Sequence, residues 1–339
     1  KIALMGSRGI PARYSGFEQF YEQVAVRLVQ RGHDVTVYNR KHCSSNREKM
    51  YRGVRVVSLP SIPTKHLDTI THTFLSSVHA LFQNFDVAYY CIVGNSPLVW
   101  LPRLRGAVTL LNVDGEDWAR EKWGRFASWY QKQAEWIATK TASLLVADAH
   151  GVQRRYEKLY GTHAVFVPYG ANIVRDEGVD VLERWGLERD EYYIYVGRFV
   201  PENAIDVLVR AYRKVESRRK LVIIGDAPYA SKYKECLREL AANDARIVFT
   251  GYAFGRDYTQ LSCHAYAYIQ PSGIEGTRPA LLDQMAFGNC VIVRDSSVNK
   301  EVVQDCGCTF DRSRMPSSLT ECLQELDKDS DKVRKYRQR

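Results

Sequence analysis

The sequence predicts two doubly wound α/β domains in tandem, and three observations carry that expectation. A strand–loop–helix–strand unit opens the chain, a second such unit opens at Tyr192, and 339 residues suit two domains at about 150 residues each. Apolar content of 45% and charged content of 26% leave enough apolar surface for each domain to bury its own core.

The first unit begins with an apolar strand from Lys1 to Met5, followed by the loop Gly6-Ser-Arg-Gly-Ile-Pro-Ala-Arg-Tyr-Ser-Gly16. Apolar residues at 17, 20, 21, 24 and 28 then recur at helical spacing, and Gly32 is placed to end that helix as its C′ residue. Alternation over 34–38 gives the second strand, and further strands are legible at 54–59, 86–92, 107–112, 143–147 and 164–167. Pro168-Tyr-Gly-Ala-Asn172 interrupts the pattern, which puts the domains at 1–170 and 171–339. In the second domain strands are expected at 192–196, 220–224, 246–249, 265–270 and 290–293, with helices at 201–215 and 229–242 between them. Two such halves facing each other imply a cleft, with ligands at the carboxyl ends of the strands.

No run of about eighteen apolar residues occurs, and Lys1 leads directly into a strand, so a soluble, non-secreted, cytoplasmic protein is expected. The eight cysteines include no Cys-x-x-Cys and fall mostly in apolar segments, which suits reduced, buried thiols. Cys263-His264 and Cys306-Gly-Cys308 have no second pair at zinc-site spacing, so no structural metal is expected. The net charge of +9 suits an anionic membrane face, a phosphorylated substrate or nucleic acid. No nucleic-acid motif accompanies it, and the tyrosines do not form a stacking platform.

The stretch Pro271-Ser-Gly-Ile-Glu275-Gly276-Thr277-Arg278-Pro279-Ala-Leu-Leu-Asp283 carries the densest chemistry. It reads as a glycine turn leading into a helix, with Pro279 in the first helical turn. Glycines that allow close backbone approach, free N–H groups and the positive end of the helix dipole make a phosphate site. Glu275 and Asp283 fall on roughly one side of that helix, and the same pattern also describes a polar loop before an ordinary amphipathic helix. Val196-Gly197-Arg198-Phe-Val-Pro-Glu202-Asn203 places Arg198 at a strand's carboxyl end, where a guanidinium can bind phosphate oxygens in two-pronged fashion or pair with a nearby carboxylate. The turns Gly225-Asp226 and Gly251-Tyr252 can line a nucleobase pocket. The opening loop has glycines at 6, 9 and 16, too widely spaced for the dinucleotide fingerprint; it offers backbone N–H groups with Arg8, Arg13 and Tyr14 as side-chain donors. Asp114, Glu116 and Asp117 end one strand and Asp148 another; they can orient sugar hydroxyls, act as acid or base, or cap helices.

Taken together these segments resemble family 4 retaining glycosyltransferases of the two-Rossmann GT-B fold, nearly end to end. Within that family the chain is most similar to the rhamnosyltransferase-like branch of bacterial surface-polysaccharide enzymes, through Gly6-Ser-Arg-Gly-Ile-Pro-Ala-Arg-Tyr-Ser-Gly-Phe-Glu18, Val113-Asp-Gly115 with Trp118, and Gly197-Arg-Phe-Val-Pro-Glu-Asn203. The resemblance implies that Arg198 holds the donor diphosphate and that Glu275, Gly276 and Thr277 cradle phosphate and sugar, with Gly16 in the donor set. Asp283 stands where the family's second Glu binds the donor ribose, Asn203 where many relatives have a phosphate-binding Lys, and Asp114 where many have a His near the transferred sugar. Arg278 restores the charge that Asn203 lacks. The implied reaction transfers a sugar, rhamnose favoured, from a nucleoside diphosphate sugar to a hydroxyl of a glycan or lipid diphosphate-linked acceptor, with retention and without metal or cofactor. A peripheral location at the inner face of an anionic membrane suits the basic balance. A nucleotide-sugar epimerase on the same fold, or a non-catalytic binder of sugar nucleotides or glycans, are the alternatives.

Overall fold

The computed structural model describes residues 1–12, 16–43, 48–64, 67–113, 115, 124–227, 230–273 and 276–339. It divides into an N-terminal domain, Lys1–Tyr169, and a C-terminal domain, Gly170–Arg339. Each is an α/β domain built on a single sheet, whose strands are parallel but for one short antiparallel edge strand in the first.

In the N-terminal domain the elements run β1 (Ile2–Met5), α1 (Gly16–Gln30), β2 (Val35–Arg40), β3 (Met50–Tyr51), β4 (Val54–Leu59), α2 (Asp68–Ala80), β5 (Val87–Tyr90), β6 (Val108–Val113), α3 (Arg125–Thr141), β7 (Leu144–Ala147), α4 (His150–Tyr160) and β8 (Ala164–Phe166). The sheet order is β3-β4-β2-β1-β5-β6-β7-β8. Helix α1 stops as its sequence predicts: Gly32 adopts φ +86°, and the N–H groups of Gly32 and His33 bond the carbonyls of Val29 and Leu28. That is the two-bond glycine C-cap, and a residue with a Cβ is disfavoured at the left-handed position. The inward residues of α1, Tyr21 and Ala25, pack on Leu4, Val35 and Val37 of the sheet.

The C-terminal domain contains α5 (Asp180–Arg184), β9 (Tyr192–Val196), α6 (Ile205–Tyr212), β10 (Lys220–Ile224), α7 (Ser231–Ala241), β11 (Ile247–Gly251), α8 (Gly255–Cys263), β12 (Ala267–Gln270), α9 (Pro279–Ala286), β13 (Cys290–Arg294), α10 (Ser297–Val303), β14 (Gly307–Phe310), α11 (Ser317–Lys328) and α12 (Ser330–Gln338). Its sheet order, β11-β10-β9-β12-β13-β14, is the doubly wound dinucleotide-fold order. Both faces are covered, which is why the strands read as continuous apolar runs. Along β9, Tyr193 and Tyr195 enter the core shared with Leu208, Leu319 and Leu323, while Tyr192 and Ile194 enter that shared with Leu261 and Leu281. Each such fully buried aliphatic side chain contributes about 2 kcal/mol by removal from water.

The expected helix at 201–215 is not continuous. A single 3₁₀ turn spans Pro201–Asn203, Ala204 adopts φ +52°, and α6 starts only at Ile205. The Asn203 side chain turns back to donate to the Arg198 carbonyl at 2.7 Å, so a local side-chain bond wins over continuation of the helix. The N-cap position of α4 is Ala149, whose side chain makes no cap bond. Cys306-Gly-Cys308 belongs to the edge strand β14 and its approach, and Cys308 Sγ lies 3.0 Å from Cys322 Sγ of α11. All eight cysteines are free thiols.

Candidate donor-diphosphate site

In the C-terminal sheet, chain order reverses direction between β9 and β12. Connections leave on opposite sides there, so a crevice opens at the carboxyl ends of those two strands. Arg198 follows β9 by two residues, and the turn from Pro271 follows β12 directly. The topology therefore brings together the two segments that the sequence singles out.

The described side chains there form one hydrogen-bonded group. Asn203, 4% exposed, donates through Nδ2 to the Arg198 carbonyl (2.7 Å) and accepts at Oδ1 from Arg278 Nη1 (3.2 Å). Arg278 Nη2 donates to Ser272 Oγ (2.7 Å), and that hydroxyl donates to the Glu202 carbonyl (3.1 Å). Asn299 Nδ2 bridges the turn to β13, donating to the carbonyls of Ser272 (3.2 Å) and Arg294 (2.8 Å). Beneath the group lies Tyr195: burial pushes its hydroxyl well above the ordinary range, while the guanidiniums of Arg278 and Arg198 pull the other way. Two arginines thus meet at the carboxyl end of the sheet, and the Asn203 amide links the Arg198 backbone to the Arg278 guanidinium without adding charge.

Helix α9 begins at Pro279, with Arg278 as an extended N-cap residue that makes no side-chain cap bond. Pro279 has no N–H, and the N–H groups of Leu281 and Leu282 bond the Arg278 carbonyl at 3.0 and 3.3 Å. That leaves the N–H of Ala280 in this first turn at the positive end of the helix dipole. Gly276 adopts φ +111° and is buried, so the turn reaches the helix through a conformation that favours glycine. Thr277 lies between them, partly buried. Asp283, 9% exposed, accepts from Tyr258 Oη at 3.2 Å through Oδ2. Burial, then the Asp283 carboxylate, pushes the Tyr258 hydroxyl up, which keeps it a donor.

The expectations at Arg13, Tyr14, Asp114 and Glu275 lie outside the described residues. Gly16 is the first residue of α1 in the N-terminal domain, whereas Arg198, Asn203, Gly276, Thr277, Arg278 and Asp283 belong to the C-terminal domain. Arg8 lies in the loop after β1, where its carbonyl accepts from Arg40 N (3.0 Å). That loop offers fewer donors than its glycines suggest. The N–H of Gly9 bonds Ser7 Oγ (3.1 Å), that of Ile10 bonds Asn39 Oδ1 (3.0 Å), and that of Ala12 bonds Glu22 Oε2 (2.7 Å).

Sequence reasoning missed Ser272, Asn299, Tyr258 and Arg294. Arg294 ends β13, and an ideal Cβ on Gly273 would fall 2.8 Å from its Cδ and Nε, so the guanidinium stem lies flat over that glycine. Burial and then Arg312 hold its pKa below the ordinary Arg value, and its Nε has no hydrogen-bond partner among the described residues. The signal available in the sequence was an Arg closing an otherwise apolar strand beside the switch point. Among the described residues, the group of side chains placed to hold a metal is His42, Cys43 and Asp68, in the N-terminal domain. Arg40 already pairs with Asp68 there, at 2.6 Å.

Residues 190–329 match the family model described as Glycosyl transferases group 1, and residues 101–172 match one described as Domain of unknown function (DUF1972). The whole chain superimposes on sucrose-phosphate synthase from Thermosynechococcus elongatus with a TM-score of 0.83, covering 99% of this chain and 92% of that one at 17% identity. It is similar in fold to Anabaena Alr3699/HepE in complex with UDP-glucose, with a TM-score of 0.80 over 99% and 92% of the two chains at 15% identity. The O-antigen chain mannosyltransferase B of Escherichia coli is 27% identical over 158 residues, 45% of this chain. The match spans 42% of that relative's length. Fold and match together define the class: two Rossmann-like domains of the GT-B type, the second matching the Glycosyl transferases group 1 model over residues 190–329.

Proposed function

We propose that the protein is a retaining glycosyltransferase that moves a sugar from a nucleoside diphosphate sugar to a hydroxyl of a glycan or lipid diphosphate-linked acceptor in surface-polysaccharide synthesis. The observation that carries this reading is the Arg198–Asn203–Arg278–Ser272 group at the β9/β12 switch point. The group 1 match over that same domain supports it. So do a relative named as an O-antigen mannosyltransferase and a structural neighbour named with UDP-glucose. Rhamnose is the favoured sugar, on the resemblance of the opening loop and of Gly197 to Asn203.

In this reading Arg198 and Arg278 face the diphosphate and stabilise charge as it leaves, with the start of α9 adding a backbone donor. Fixed cations and N–H dipoles do what a divalent ion does in other transferases, so no metal is needed. The departing diphosphate takes the acceptor proton, and the protein contributes positioning and charge stabilisation in place of a nucleophile. Glu275 and Asp114 are proposed near the transferred sugar. Arg8, Arg13 and Tyr14 are proposed on the acceptor side, with Gly16 contributing to the donor. The protein works at the inner face of an anionic membrane, where a lipid-linked acceptor resides.

Incubation with dTDP-rhamnose, UDP-hexoses and GDP-mannose, with and without a lipid diphosphate acceptor, tests the reading. Transfer from one of these donors is expected. A new nucleotide sugar formed without acceptor would establish an epimerase instead, and donor binding with neither transfer nor hydrolysis a non-catalytic binder.

Asp283 is proposed at the ribose. Asp283→Ala should weaken donor binding roughly tenfold or more, the loss of a hydrogen bond to a charged group, whereas Asp283→Glu should retain it in calorimetry. Equal affinities for all three proteins would remove Asp283 from the site. The companion Tyr258→Phe separates a ribose contact from a packing role, because it removes the bond that the carboxylate makes inside the domain.

A further inference from the structure

Helix α3 presents an outward face that its own domain does not cover. At 100° per residue, Arg125, Phe126, Trp129, Lys132, Gln133, Trp136 and Lys140 fall within one sector of about 120°. Phe126 is 78% exposed, Trp129 56% and Trp136 54%, and the phenyl and indole rings of the first two lie 5.8 Å apart. The opposite side of the helix is seated in the domain: Gln131, Ala134, Glu135 and Ala138 are buried, and Ser96 Oγ donates to the Ala134 carbonyl at 2.7 Å. An amphipathic helix normally turns its aromatic residues inward, so three large rings on the solvent side need a partner.

Charge identifies the partner. Arg125, Lys132 and Lys140 are exposed within the same sector, while the one carboxylate of α3, Glu135, is buried and accepts from Arg155 Nη2 and Tyr160 Oη at 2.8 Å each. The 3₁₀ segment Leu101–Arg105 continues the surface: Arg103 Nη1 donates to the Thr141 carbonyl at the end of α3, and Trp100 and Leu104 are 45% and 64% exposed. From Val87 to Val113 the sequence contains no Asp or Glu. Indole and phenyl rings interleaved with cations suit the headgroup layer of an anionic bilayer, where rings enter the acyl boundary and long cationic side chains reach phosphates. A second copy of this chain would carry the same cations and meet like charge.

We propose that α3, with the 101–105 segment, is the surface by which the protein docks on an anionic membrane, lying in the interface plane and not across it. The proposal rests on the membrane location given above and adds to it the element responsible. No helix among the described residues is long and apolar enough to span a bilayer, which suits surface docking.

Flotation of the intact chain with vesicles of phosphatidylcholine alone, and with equimolar phosphatidylglycerol, tests it. Binding to the anionic vesicles is expected. Lys132→Gln with Lys140→Gln should lower the partition coefficient about fivefold per cation removed, and Trp129→Ala with Trp136→Ala should lower it on both vesicle types. These positions are exposed, so circular dichroism and donor turnover onto a water-soluble acceptor should not change; that turnover also separates failure of the docking surface from failure of the donor site. Wild-type partition retained by both double variants, or no binding to either vesicle, would overturn the proposal. So would loss of self-association in the tryptophan variant with vesicle binding intact, which would assign the face to a second copy.

Discussion

Arg198→Ala is expected to lower kcat/KM by roughly 10²-fold or more, with most of the loss in kcat. The arginine's backbone is fixed before any donor arrives. Its carbonyl accepts from Asn203 Nδ2 at 2.7 Å and from Val200 N at 2.9 Å, which sets the start of the guanidinium stem at the end of β9. In the role proposed for Arg198, a cation held where charge develops costs little reorganisation during the reaction, so its removal is expected to be felt in the transition state more than in ground-state binding. Arg198→Lys keeps the charge without the two-pronged fork and should recover part of the loss. Steady-state kinetics with saturating acceptor checks both variants, and a rate within twofold of wild type for Arg198→Ala would remove it from the site.

Gly225→Ala is the second large effect, and it acts on folding. Gly225 adopts φ +136°, and a Cβ there would sit 1.9 Å from the Gly197 carbonyl oxygen, a backbone atom that cannot turn aside. Gly197 N donates to the Ile224 carbonyl at 3.0 Å, and Gly225 N donates to that of Gly251 at 2.8 Å, so the carboxyl ends of β9, β10 and β11 are drawn together here. The methyl group must push β9's end away from β10, directly beneath Arg198. A loss of about 3 kcal/mol or more is expected, equivalent to a drop of roughly 10 °C in the Tm of the C-terminal domain. Calorimetry on the whole chain, in which this domain's transition moves while the N-terminal one stays, checks it. An unchanged Tm would show that the close approach is relaxed in solution.

Much of this architecture was legible in the sequence, and the reason is physical. Strands 192–196 and 220–224 match the structure residue for residue because strands buried on both faces must be apolar nearly throughout. Strand 54–59 matches through alternation, with Val54 and Val56 buried and Arg55 and Ser58 exposed. Gly32 and Pro279 signalled helix ends because each has a backbone requirement that few residues share. What escaped notice depends on tertiary contacts. The break at Ala204 follows from an Asn203 side chain reaching five residues back, and no helical period encodes that. The four-residue strand β14 at the sheet edge was hidden because Cys306 and Cys308 drew attention as possible ligands.

The candidate site was legible in its parts and not in its wiring. Arg198, Asn203 and Arg278 stand out as a strand-end arginine, a neutral residue and a compensating cation. That Asn203 joins the other two is visible only once β9 and β12 are neighbours. Ser272 carries no signal of its own between Pro271 and Gly273, yet its hydroxyl links Arg278 to the Glu202 carbonyl. The strand expected at 290–293 stopped one residue short of Arg294, which ends β13 and covers Gly273 beside the same turn. The opening loop showed the reverse error. Its glycines suggested backbone donors for a ligand, but three of its N–H groups are engaged within the N-terminal domain.

A crystal structure of the protein with a non-hydrolysable nucleotide sugar tests the central claim most directly. The diphosphate is expected between Arg198 and the start of α9, with a phosphate oxygen within about 3 Å of an Arg198 guanidinium nitrogen and the ribose toward Asp283. A diphosphate bound elsewhere in the chain, with Arg198 still hydrogen-bonded only to protein, would contradict it.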